Sequence, residues 1–159
     1  MGAYEAPGET DEWYTPAYIF EALGERFDLD VASPPEGPRH VPADAFLCDL
    51  GLISSWSGFV WMNPPFGHQA TKMAWLAKFF QHGNGIALVP DRTSAPWWQQ
   101  YAPQASAVLF VTPKIKFERP DGTIGAQPGT GAALMSAGER GAKALVRASA
   151  TLGAVFRPL

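Results

Sequence analysis

The chain has 159 residues, 47% of them hydrophobic, and a net charge of −3. That is enough apolar material for the core of one domain, and the charge is too small for a disordered chain or a protein that coats nucleic acid. A single cysteine, Cys48, excludes an intramolecular disulfide and a Cys-built zinc site.

No apolar run is long enough to span a membrane, and no basic-then-apolar leader opens the chain, so a cytoplasmic location is expected. The charges are unevenly placed. Residues 1–110 hold five Lys/Arg against twelve Asp/Glu, whereas residues 111–159 hold seven against three. Such a split allows a polyanion to touch one edge of the molecule, and equally allows a simply solvated surface.

In chain order, residues 1–10 are rich in Gly, Pro and Glu and are expected to be flexible, ahead of a single domain over 11–159. Thr15-Pro16 reads as a helix start, with Thr15 as N-cap and proline at the first helical position, leading a helix over 17–24. Residues 27–32 read as a strand. The four prolines of 33–42 make a loop, and 45–48 a second short strand.

The apolar run 59–62 predicts a buried strand that opens into a loop at Asn63. Helical spacing covers 70–80, stopped by Gly83-Asn84-Gly85. A buried-type strand follows at 86–89, then a short helix over 94–101 capped by Ser94. At least one of its Trp97 and Trp98 is expected in the core. Apolar runs at 108–111 and 115–117 precede a glycine-rich loop over 121–131. Strands at 132–135 and 153–156 flank a helix over 138–148. Strands alternating with helices predict an α/β domain with a mostly parallel central sheet. In such sheets ligands bind outside the carboxyl ends of the strands, where the Asn63 loop would sit.

Asn63-Pro64-Pro65-Phe66-Gly67 carries the chemistry. Pro64 forces Asn63 out of helical geometry, and the two prolines keep the chain extended and offer no backbone donor. The loop therefore presents acceptors, the Asn63 side-chain oxygen and the Pro64 carbonyl, on a stiff frame beside the Phe66 ring. Acceptors next to an aromatic face suit an –NH2 group on a flat ring. Two hydrogen bonds from that amine would favour a pyramidal nitrogen and free its lone pair, while stacking on Phe66 adds about 1–3 kcal/mol. Positioning and fixed dipoles would then carry the rate of attack on an activated methyl, with no protein nucleophile.

The NPPF tetrapeptide resembles the (Asn/Asp)-Pro-Pro-aromatic motif of amino-group methyltransferases. The segments around it resemble the phage-type DNA N6-adenine methyltransferase (Dam-like) family in order and spacing from about Asp11 to Leu134. Asp11-Glu12-Trp13-Tyr14-Thr15-Pro16 is similar to that family's Trp-x-Thr-Pro segment. Phe27-Asp28-Leu29-Asp30-Val31-Ala32-Ser33 is similar to its acid-ended strand, and Cys48-Asp49-Leu50-Gly51-Leu52 with Trp56 to the block before the catalytic loop. Val89-Pro90-Asp91-Arg92-Thr93 with Trp97 and Trp98, then Lys114-Ile115-Lys116-Phe117, are similar to its later blocks.

The resemblance implies a compact Rossmann-like class I methyltransferase fold and S-adenosylmethionine as methyl donor. Asn63, Pro64, Pro65 and Phe66 would be catalytic. Trp13, Tyr14, Thr15 and Pro16 would line the methionine end of the cofactor, Asp30 would lie near its amino group or ribose, and Asp49 would accept from its adenine amine or ribose. The partner is DNA with an adenine flipped out of the stack. Arg92 could reach a phosphate, and Lys114 and Lys116 interleaved with Phe117 suit a flipped base or single strand.

One departure stands out: Asp30-Val31-Ala32-Ser33-Pro34-Pro35 replaces the glycine-rich loop usual after the first strand, so a degenerate fold serving as a DNA-binding or assembly module is an alternative. RNA or a protein glutamine are alternative acceptors. His40, His68 and His82 are scattered and make no metal spacing.

Overall fold

The computed structural model describes residues 13–65 and 67–159. The expected flexible segment 1–10 and the aromatic Phe66 lie outside the described residues.

Among the described residues, seven strands form one sheet: β1 (Phe27–Asp30), β2 (Ala43–Phe46), β3 (Val60–Met62), β4 (Gly85–Pro90), β5 (Ala107–Val111), β6 (Ala132–Ala137) and β7 (Gly153–Phe156). Four α-helices connect them: α1 (Ala17–Leu23), α2 (Gln69–His82), α3 (Pro96–Tyr101) and α4 (Glu139–Leu152). The strand order is β2-β1-β3-β4-β6-β5-β7.

β1 pairs in parallel with β2 and β3, and β3 with β4. β6 is antiparallel to both β4 and β5, and β7 is antiparallel to β5. The fold is thus α/β as expected, but the sheet is mixed. Its parallel half carries β1–β4, and the expectation of a mostly parallel sheet fails in the other half, where β6 is inserted head-to-tail between β4 and β5. All six residues of β6 are buried. A strand buried on both faces reads the same whichever way it runs.

Alternation along the strands feeds two cores, one on each face. Ile86 and Leu88 of β4 join Phe27, Phe59, Trp61 and Leu109 under α1 and α4. Ala87 and Val89 join Val60, Met62, Val108 and Met135 under α2 and α3. Aromatic contacts pin the first core, with Phe20 4.7 Å from Trp61 and Phe27 stacked 5.0 Å from Phe59. Trp97 and Trp98 are both buried in the second.

Helix starts differ from the expected caps. The N-cap of α1 is Pro16, and that of α3 is Ala95, neither making a side-chain cap bond. The 115–117 run stays out of the main sheet. It leads into Glu118, which bridges Tyr14 on one side and Ile124 on the other.

The topology places the site. From β1 the chain goes to β2 on one side and then returns to β3 on the other. Where the order reverses, the loops leaving the two strands diverge and open a crevice above their carboxyl ends. Asp30 ends β1, and Asn63 directly follows β3.

Candidate active site

A cavity of about 540 Å³ occupies that crevice. It is lined by Trp13, Tyr14 and Thr15 from the entering segment, by Asp30 from β1, by Asp49, and by Asn63 and Pro65 from the loop after β3. The sequence-expected residues therefore converge, though they come from four separate stretches of chain. Pro64 is buried behind the loop, and Pro16 is buried at the start of α1; neither lines the cavity.

Asn63 is fixed by an interaction 48 residues away: its Nδ2 donates to Thr15 Oγ1 at 3.1 Å. Thr15 was expected to cap α1. With Pro16 in that place its hydroxyl is instead turned to Asn63. The other end of the amide, Oδ1, is buried and has no partner among the described residues. A buried acceptor left unpaired is costly, so on a residue that lines a cavity it is a candidate partner for a donor on a ligand.

Asp30 is 4% exposed, and its carboxylate accepts the Ala32 N–H at 3.1 Å. Burial pushes its pKa up to about 7, against the opposing pull of that N–H. A carboxyl poised near neutrality in a cavity is a ready partner for a cation or a hydroxyl.

The wall opposite is the segment between β2 and β3. Asp49 sits at φ +63°, in the left-handed region that Asp tolerates better than most residues. Gly51 is required by space: a Cβ there would lie 2.1 Å from the Val31 carbonyl oxygen and 2.6 Å from the Trp75 ring. Lys78 of α2 holds this wall by donating to the carbonyls of Gly51, Leu52 and Ser54. The Trp56 indole also donates to Gly51, at 2.8 Å. The close backbone approach beside β1 is thus made by Gly51, in place of a glycine in the loop that follows the strand.

The proline-rich 33–42 loop forms the rim. Arg39 lies 3.8 Å over the Tyr14 ring and donates to the carbonyls of Arg119 (2.9 Å) and Pro120 (2.6 Å). The Tyr14 hydroxyl donates to Glu36, which holds that carboxyl below its usual range. His40 is 3.0 Å from the Glu118 carboxylate. Arg39, His40, Gly51, Trp61 and Trp75 all line the cavity and were not singled out as site residues from sequence. The signal for the first two was a stiff loop following an acid-ended strand.

The residues expected to meet DNA are dispersed. Arg92 is exposed just beyond β4. Burial, and the nearby Arg92 cation, pull the Lys72 ammonium below its usual range, and Lys72 donates to the Gly67 carbonyl at 2.8 Å. A two-cation edge therefore borders the Asn63 loop. Lys116 is exposed, and Lys114 donates to Gly129 at 3.1 Å. Phe117 does not share their surface: it is 4% exposed and packs into the first core, which closes its ring to a base.

Together these features define an α/β protein with a cavity at a strand-order reversal, lined by an asparagine whose buried amide oxygen is unpaired among the described residues. The chain belongs to the DNA N-6-adenine-methyltransferase (Dam) family, whose model matches residues 5–147. Membership implies methylation of adenine N6 in DNA, and hence DNA as substrate. Comparison with curated proteins and with solved structures gives no match. Among the described residues, no helix is long and apolar enough to cross a membrane.

Proposed function

We propose that the protein is an S-adenosylmethionine-dependent methyltransferase of the Rossmann-like class I type, acting on the N6 amine of an adenine flipped out of DNA. The observation that carries this reading is Asn63 Oδ1, a buried acceptor without a partner among the described residues, on a residue that lines a cavity of nucleoside-accommodating size.

The residues present fit the methyl donor. Asp30 offers a buried carboxyl for an ammonium or ribose hydroxyls, Asp49 adds acceptors on the opposite wall, and Tyr14 gives an aromatic face held by Arg39. When bound, S-adenosylmethionine supplies an electrophilic methyl on a sulfonium. Asn63 Oδ1 accepts an N–H group of the adenine amine and turns its lone pair away from the ring. Thr15 fixes the Asn63 amide so that this oxygen needs no reorganisation. Phe66 stacks on the base. Arg92 and Lys72 attract the phosphates beside the extruded nucleotide.

The test is expression in a host lacking its own adenine methylation, followed by sequencing that detects modified adenine. N6-methyladenine at a recurring short motif is expected. Unmodified DNA, or equal modification by Asn63→Ala, overturns the reading. Failure of the purified protein to bind S-adenosylhomocysteine in calorimetry would favour a degenerate fold that only binds DNA.

A further inference from the structure

Side chains tie the Asn63 loop down at both ends. Asn63 at its start is held by Thr15. Gly67 at its far end is held by Lys72, whose ammonium donates to the Gly67 carbonyl at 2.8 Å. Pro64 and Pro65 between them bring no N–H group, so the loop has few backbone donors with which to fix itself. Lys72 belongs to the first turn of α2, where its backbone N–H donates to the His68 carbonyl at 3.1 Å. It therefore reaches from a regular helix back to the loop that carries Asn63.

That place is electrostatically poor for a lysine. A helix is positive at its N-terminus and disfavours cations in its first turn. No acidic residue in that turn offsets the charge, and Arg92 adds a second cation nearby. Among the described residues neither Lys72 nor Arg92 makes an ion pair. An ammonium carries several N–H donors. Gly67 takes one of them, and the contact lies at the protein surface, which leaves the others open to an anion.

We propose that Lys72 is a positioning residue that couples DNA contact to the catalytic loop: one ammonium N–H holds the Gly67 carbonyl while another donates to a phosphate oxygen beside the extruded nucleotide. This rests on the proposed reading and deepens it, because a backbone contact then acts on the rate of methyl transfer and not on affinity alone. A phosphate bound there offsets the Lys72 charge, and the charge-assisted bond draws the ammonium into one geometry. The Gly67 end of the loop is thereby fixed when DNA is in place. A residue that only attracts DNA changes affinity and leaves the rate at saturation untouched.

The test uses the full-length protein and a duplex carrying the methylated site found by sequencing, with single-turnover methyl transfer measured at saturating DNA and S-adenosylmethionine. Lys72→Met keeps the stem and loses every donor. Its rate at saturation should fall about tenfold, and its slope of log DNA affinity against log salt should fall by about one. Lys72 does not line the cavity, so S-adenosylhomocysteine affinity should hold. Lys72→Arg keeps charge and donors and should recover both rate and slope. Neutral methylphosphonates, placed one at a time at the linkages around the target, should reveal one linkage that slows the wild type about tenfold and slows Lys72→Met no further. A Lys72→Met protein as fast as wild type at saturation overturns the inference, leaving Lys72 a phosphate contact alone. An unchanged salt slope also overturns it, since Lys72 then ties the loop without meeting DNA. So does a scan in which no linkage distinguishes the two proteins. A wild type that transfers no methyl to DNA contradicts the underlying reading instead.

Discussion

At Asn63 the two ends of one side chain differ: the amide nitrogen is tied to Thr15, and the buried oxygen is unpaired among the described residues. Asn63→Ala removes the acceptor and should cost at least about a hundredfold in methyl transfer, with the circular dichroism spectrum unchanged. Asn63→Asp keeps an acceptor, which the Thr15 hydroxyl can still orient by donating, and should retain clearly more activity than the alanine variant. Asp30 makes a pH-dependent contribution of unusual sign. Folded Asp30 keeps its proton to about pH 7, whereas an unfolded carboxyl loses it near about 3.9. Between those values the folded state binds more protons, so this group's contribution to stability falls as pH rises from about 4 to about 7 and levels off above. Asp30→Asn should therefore gain stability relative to wild type between pH 5 and pH 8 in urea titrations. A gap that stays constant over that range would show that Asp30 is ionised throughout. The Asn63 loop was legible because Asn-Pro-Pro after an apolar run has few local readings. The Thr15 contact was not: a threonine before proline obeys the capping rule just as well, and only a residue 48 positions away decides between them.

The β2–β3 segment shows how an irregular element is made rigid enough to wall a site. Three carbonyls converge on the Lys78 ammonium, and Gly51 fits where no side chain could. Gly51→Ala must push the Val31 backbone or the Trp75 ring aside, and should destabilise the protein by about 3 kcal/mol while weakening S-adenosylhomocysteine binding. Lys78→Met loses the three bonds but keeps the stem, costing about 1–2 kcal/mol, and amide exchange should quicken in residues 48–56 ahead of the strands. Unchanged exchange there would mean that Trp56 alone holds the wall. Sequence spacing located α2, but the grip of Lys78 could not be read from it. The acceptors are main-chain carbonyls of an irregular segment, and no residue type marks those.

Across the whole molecule, the strand order sets function by bringing the ends of β1 and β3 side by side at the reversal. The α/β class and most elements were readable because buried strands and amphipathic helices impose their periods locally. The antiparallel half was hidden, because direction depends on which neighbours a strand finds. The basic excess of residues 111–159 does not edge the Asn63 loop: the cations there are Lys72, bonded to the Gly67 carbonyl, and the nearby Arg92, while Phe117 is drawn inward among apolar neighbours. Removing the Arg92 charge should weaken DNA binding evenly across sequences and lower the slope of log affinity against log salt by about one, and an unchanged slope would place the phosphates elsewhere. The most direct measurement is transfer of labelled methyl from S-adenosylmethionine to unmethylated duplex DNA, with the DNA digested to nucleosides. Label should appear in N6-methyldeoxyadenosine for the wild type and be absent for Asn63→Ala. Label in methylcytosine, in no nucleoside, or equally with the alanine variant would contradict an adenine amine held by Asn63.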